Sequence, residues 1–178
     1  MKKKYLIISS ILILAAGLSW FVRNQNISYN RNMKIESAAF KDGDKIPTQY
    51  TCDGIDINPP LLIRDTPEGA KSLVLIMDDP DASRGKTWDH WLLWNITPDT
   101  LGIKEGTTPS GAITGSNSWL KQAYGGPCPP ALHRYFFKLY ALDIVLDLPA
   151  GSAKEPLLMA MKGHIITEAS LMGRYSRK

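Results

Sequence analysis

Three carboxylates, Asp78, Asp79 and Asp81, follow directly on the apolar run at 72–77 (SLVLIM), and two of the chain's three histidines, His90 and His133, open later apolar segments. Carboxylates this close repel one another unless cations or hydrogen-bond donors sit among them. The set admits two chemistries. Imidazoles with glycine-rich backbone amides suit a small anion such as phosphate, and a nearby carboxylate suits the amine of a zwitterion. Two histidines and an aspartate are also first-row metal ligands, but no H-x-x-x-H or C-x-x-C spacing accompanies them. A third, plainer reading has the aspartates simply capping turns, with Asp-Pro as punctuation. No G-x-S-x-G, P-loop or Rossmann glycine pattern occurs, and no nucleophile–base pair can be named. His164 falls within an expected helix, where packing or a helix-end hydrogen bond accounts for it.

These residues need elements to position them. Residues 124–143 (YGGPCPPALHRYFFKLYALD) begin with Gly125, Gly126, Pro127, Pro129 and Pro130, too rigid and turn-prone for helix or central strand. Residues 135–142 then read as a buried strand, with His133 and Arg134 at the junction. The run at 72–77 has the length and continuity of a strand covered on both faces. Residues 88–96 form another aromatic and apolar segment. Residues 33–40 are a further strand candidate, 46–51 reads as extended, 52–60 as a loop closed by 61–63, and 97–117 as surface loop. One helix is expected from 155 to about 172, with Leu157, Met161, Ile165 and Met172 at helical spacing, Pro156 in its first turn and Gly173 just past its end. Short strands, Gly/Pro-rich connections and one late helix indicate a mainly β domain.

At 178 residues, 44% hydrophobic and 21% charged, the chain has the composition of one globular domain. Its pI of about 9.0 comes from the N-terminus. Lys2, Lys3, Lys4 and Arg23 are four of the 21 basic residues, and the first 23 positions hold no acid, so the remainder carries 17 basic and 17 acidic residues. Nothing in that balance favours a nucleic-acid partner. Residues 1–23, three lysines and then about eighteen mostly apolar positions, read as a cleavable signal peptide or a single N-terminal membrane anchor. Ala15, Ala16 and Gly17 favour cleavage, whereas Trp20, Phe21 and Arg23 favour retention. Either places the domain outside the cytoplasm, periplasmic or secreted if cut, tethered to the inner membrane if not. Residues 24–33 are a polar linker and 34–178 the domain. Cys52 and Cys128, the only cysteines, are expected to pair in an exported protein.

The motifs DPDAS (79–83), WDHWLLWNI (88–96) and YGGPCPPALHRYFFKLYALD resemble the phosphatidylethanolamine-binding protein family, which includes the Raf kinase inhibitor protein. YTCDGIDINPPL (50–61) and KGHIITEASLMGRY (162–175) are similar to its bacterial YbhB/YbcL branch. The resemblance implies a large antiparallel sheet packed on a smaller one, with peripheral helices including a C-terminal one. It also implies a surface pocket for phosphoryl headgroups, built from Asp79, Asp81, His90, His133 and Tyr135, with the Gly126–Pro130 loop, Gly126, Pro127 and Pro130 above all, as its rim. Asp89 stands where animal members often have histidine, Ser83 where many have proline, and Ala131 where glycine is common. The expected function is non-enzymatic binding of a phosphate-containing small molecule or phospholipid headgroup, without cofactor or metal, with modulation of a protein partner as an added role. A kinase- or protease-inhibitor-like interaction protein and, further off, a hydrolase using His90 and His133 are the alternatives.

Overall fold

In a computed structural model, residues 32–82 and 85–177 are described. The expected signal or anchor segment, the linker up to residue 31 and Ser83 lie outside the described residues. In chain order the strands are β1 (Lys34–Ser37), β2 (Leu61–Arg64), β3 (Ser72–Asp79), β4 (Trp88–Ile96), β5 (Gly102–Ile103), β6 (Ile113–Thr114), β7 (His133–Leu142) and β8 (Ile165–Tyr175). A 3-10 turn covers Thr48–Tyr50, and one α-helix, α1, covers Lys154–Met161. A five-stranded sheet in the order β6-β4-β3-β7-β8 and a three-stranded sheet β1-β2-β5 are both antiparallel throughout.

β3 is buried at all eight positions, and its alternation shows why. Leu73, Leu75 and Met77 join Ile35, Leu61, Ile63 and Ile103 of the small sheet in one apolar cluster. Val74 and Ile76 face the other way, onto Leu92, Trp94, Leu146 and the Leu157 and Met161 side chains of α1. Each such aliphatic side chain removed from water contributes about 1.5–3 kcal/mol. A mainly β chain with two sheets and one helix near the C-terminus is thus what the apolar patterning builds.

The helix is shorter than its sequence pattern indicates. Leu157 and Met161 do line its buried face, but the chain leaves the helix at Lys162, and Gly163 turns it at φ 83°. Ile165 and Met172 lie on β8, which pairs with β7 from His133↔Tyr175 to Leu142↔Ile165. The β-branched start, Ile165-Ile166-Thr167, suits a pleated edge, and ladder bonds to β7 outweigh a helical period carried by few residues. Gly173 is therefore no helix stop. A Cβ there would run into the Ile46 and Phe40 side chains, so Gly173→Ala is expected to cost about 1–3 kcal/mol by overpacking, read as a lower urea midpoint. Two further differences are local. Residues 46–51 hold the 3-10 turn instead of staying extended, and the 97–117 loop contributes β5 and β6 as two-residue edge strands.

The topology gathers the site. β4 and β7 flank β3 and run opposite to it, so the end of β3 meets the starts of both neighbours. Asp79 pairs with Trp88 on one side, and Asp78 with Phe136 on the other. The β3–β4 register also shifts between Met77↔Trp91 and Asp78↔Asp89, leaving His90 as the extra residue. Such a bulge re-aims side chains at a strand end.

Candidate functional site

A cavity of about 760 Å³ opens at this sheet end, lined by Asp79, Ala82, Lys86, Thr87, Trp88, His90, Ser118, Trp119, Cys128, Pro129, Pro130, His133 and Tyr135. Its lining holds a histidine–carboxylate pair. His133 Nδ1 lies 2.8 Å from Asp79 Oδ2, with 16% and 5% of the two side chains exposed. A carboxylate only accepts, so Nδ1 carries the proton and Nε2 is left for the pocket. The other Asp79 oxygen accepts the Asp81 backbone N–H at 2.8 Å.

His90 has a different role. Its Nδ1–H donates to the Gly125 carbonyl oxygen at 2.6 Å. Burial lowers its pKa below the ordinary imidazole value despite that bond and the charges of Asp79 and Asp78. The ring is therefore neutral near pH 7, and Nε2 offers a lone pair. Edge-to-face contacts with Trp119 and Tyr135, ring centroids 5.0 and 5.2 Å away, fix its plane. Tyr135 keeps its phenolic proton, because burial and then the adjacent Asp79 charge push its pKa well above the usual range. The cavity thus combines a hydroxyl donor, an imidazole beside a carboxylate, an ammonium (Lys86) and one imidazole acceptor.

The rim is held from behind. Cys52 and Cys128 are joined by a disulfide, and the Cys52 N–H donates to the Pro127 carbonyl at 3.1 Å. Gly126 N–H donates to Asp56 Oδ1 at 2.7 Å, and a Cβ on Gly126 would meet the Tyr50 carbonyl and Thr51 Cα. Three expected pocket residues consequently do not line the cavity. Gly126 and Pro127 sit behind it, as the anchor of the rim, because their backbone groups are committed to the 50–56 loop. Asp81 turns outward and takes Arg134 Nε at 2.8 Å, Nη2 at 2.7 Å and the Arg134 backbone N–H at 3.0 Å. Asp79, His90, Pro130, His133 and Tyr135 do come together.

The Arg134 hydrogen bonds hold the Asp81 carboxyl down at about 2. A carboxylate whose folded pKa is depressed stabilises above its unfolded pKa and loses that contribution as pH falls through the folded one. Asp81→Asn is expected to cost about 1 kcal/mol near neutral pH, discounted for its partial exposure. Chemical denaturation across a pH series should show the gap to the parent protein closing between about 4 and about 2.

The bulge sends Asp89 away from the pocket. Asp89 Oδ1 takes Lys154 Nζ at 2.8 Å, and the same ammonium lies 2.7 Å from Asp78 Oδ2, which also takes Lys138 Nζ at 2.8 Å. Asp78 is 1% exposed, and its Oδ1 is buried without a hydrogen-bond partner among the described residues. Burial comes first in raising the Asp89 pKa, against the pull of Lys154. Burial likewise opposes the charge on Lys154, but the two carboxylates outweigh it and raise its pKa. Repulsion among the three aspartates is thus divided three ways. Asp78 goes to two lysines, Asp79 to His133 and Asp81 to Arg134.

Sequence reasoning missed Lys86, Trp88, Ser118 and Trp119 among the lining residues. Trp119 comes from a loop without apolar periodicity, so no local signal marked it. His164, after α1, instead bonds Asp143 Oδ1 at 2.8 Å in the open. Among the described residues no three His, Cys, Asp or Glu side chains are grouped as metal ligands, and no helix is long and apolar enough to cross a membrane.

The family model described as phosphatidylethanolamine-binding protein matches residues 36–176. A UPF0098 protein of Methanothermobacter thermautotrophicus is 50% identical over 151 residues, which cover 82% of this chain and 99% of the relative. The crystal structure of a phosphatidylethanolamine-binding protein homologue from Chlamydia trachomatis is 45% identical, with a TM-score of 0.80, over 83% of this chain and 99% of that one. Escherichia coli YbcL, described as a member of the mammalian family, superposes with a TM-score of 0.78 at 27% identity, over 83% of this chain and all of that one. The C. trachomatis chain is thus a folded protein of about this matched part alone, and Asn32–Lys178 form one compact unit of this chain.

Proposed function

This chain belongs to the phosphatidylethanolamine-binding protein family, and we propose that its pocket binds a phosphomonoester or phospholipid headgroup without transforming it. The observation that carries the reading is the division of labour between the two histidines. A monoprotonated phosphate has acceptor oxygens and one hydroxyl. Tyr135 and Lys86 supply donors to the oxygens, the His133 imidazole held by Asp79 faces them from Nε2, and the lone pair of neutral His90 takes the hydroxyl. Trp88 and Trp119 supply aromatic surface beside it for the ammonium end of a zwitterion.

Native mass spectrometry and calorimetry of residues 32–178, purified without phosphate buffer, test this. A saturable 1:1 phosphoethanolamine complex is expected, with ethanolamine alone much weaker. Release of inorganic phosphate from a phosphomonoester during the same titration would show instead that the Asp79–His133 pair acts as a general base.

A further inference from the structure

Leu120 is 87% exposed, more than any other large apolar side chain among the described residues. Its backbone sits at φ 61°, a region that favours Gly, Asn or Asp and costs other residues energy. Neither burial nor backbone preference accounts for a leucine there, yet the loop is built to hold it. Buried Asn117 accepts the Trp119 and Lys121 N–H groups on Oδ1, both at 3.0 Å, and donates from Nδ2 to the Ala123 carbonyl at 3.0 Å. Leu120 N–H donates to the Asn117 carbonyl at 2.9 Å. The result is a stiff tip that presents Trp119, Leu120 and Lys121 in succession.

The surroundings share one character. Trp119 is 41% and Trp88 37% exposed, edge to face at 5.4 Å. Leu132, beside the pocket residue His133, is 64% exposed. The carboxylates Asp79 and Asp81 at this mouth are already tied to His133 and Arg134, whereas Lys86 and Lys121 hold no ion pair among the described residues. Leucine at the apex, indole at its base and unpaired ammonium alongside match the acyl, headgroup and phosphate levels of a bilayer in turn. Separate apolar points suit a deformable lipid surface better than a flat protein interface, which buries a continuous core.

We propose that the 117–123 loop, with Leu132, docks this protein on an anionic phospholipid bilayer by inserting Leu120, so that the pocket opens onto the membrane. The identity of the occupant rests on the headgroup reading of the pocket. Residues 32–178 serve for the test, since they exclude the N-terminal apolar stretch and its own affinity for lipid. The domain is co-sedimented with phosphatidylethanolamine–phosphatidylglycerol vesicles, and soluble phosphoethanolamine binding is measured on the same samples.

Leu120→Asn keeps a residue at ease in the left-handed region, so its melting temperature should be equal or higher, while its vesicle partitioning falls at least about tenfold. Leu132→Asn should weaken partitioning less, and both variants should bind soluble phosphoethanolamine like the parent. A parent domain that binds soluble phosphoethanolamine but no vesicles overturns the docking and leaves the pocket reading intact. Equal partitioning of Leu120→Asn also overturns it, as would Leu120-dependent capture of a protein in place of lipid. Leu120-dependent vesicle binding without any soluble-ligand binding would establish the docking and remove the headgroup reading.

Discussion

His133→Ala should weaken phosphoethanolamine binding by about a hundredfold, well beyond any effect on folding. The substitution removes a hydrogen-bonding partner of a charged ligand, a loss of about 1.5–3 kcal/mol, or roughly 10- to 150-fold in affinity. It also bares Asp79, 4% exposed and lining the same cavity, so that its negative charge then repels the phosphate. Asp79→Asn should be milder, because it loosens the ring's tautomer and orientation without leaving an uncompensated charge. The double variant should bind better than His133→Ala alone, since replacing the bared carboxylate removes its repulsion of the phosphate, and the two effects should therefore not add. Calorimetric titration beside thermal melts separates binding from stability. Affinity within twofold of the parent in a folded His133→Ala protein would show that the ligand does not sit on this pair.

Lys154→Met should be the most destabilising single change outside the apolar core, at about 3–5 kcal/mol, the usual cost of removing one partner from a buried ion pair. Asp78 and Asp89 are cross-strand neighbours at the bulge, and Lys154 lies between them at 2.7 and 2.8 Å. Without it Lys138 alone faces Asp78, whose second oxygen already lacks a partner among the described residues, and Asp89 is left charged and half-enclosed. Burial already raises the Asp89 pKa, and losing the ammonium raises it further. A carboxylate whose folded pKa lies above its unfolded value binds more protons when folded, so the variant gains stability as pH falls. The deficit should therefore narrow on mild acidification, and Asp89→Asn in the Lys154→Met background should recover part of it at neutral pH. Urea denaturation at several pH values measures both. The network lies on the face of the sheet away from the pocket, so folded Lys154→Met should bind phosphoethanolamine normally.

The position of Asp89 also explains why its difference from the histidine of many animal relatives leaves the pocket lining intact. The residue points toward α1, and its partner is Lys154 on that helix. The departure belongs to the anchoring of the helix, and the lining of the cavity does not depend on it.

Much of this molecule was legible in the chain itself because the signals were local. An unbroken apolar run such as 72–77 must be covered on both faces wherever it lies, and a Gly/Pro-rich stretch such as 125–130 must be a rigid turn. Antiparallel pairing then brings Asp79, His90, His133 and Tyr135 to one end of the sheet, which the strand-end positions of these residues foreshadowed. What tertiary structure alone decided is which way each side chain points and whom it meets. One residue of bulge puts His90 in the pocket and Asp89 on the opposite face, and no alternation rule applied to WDHW marks that slip. Asp81 was drawn out of the pocket by Arg134, and Asp78 was answered by Lys138 and Lys154, 60 and 76 positions away. The stretch after Met161 became strand because β7 offered ten pairing partners, a gain visible only once β7 is in place. Local patterning carries the free energy of burial, which depends on residue type. Register, ion pairing and the choice between helix and edge strand depend on neighbours that are remote in the chain.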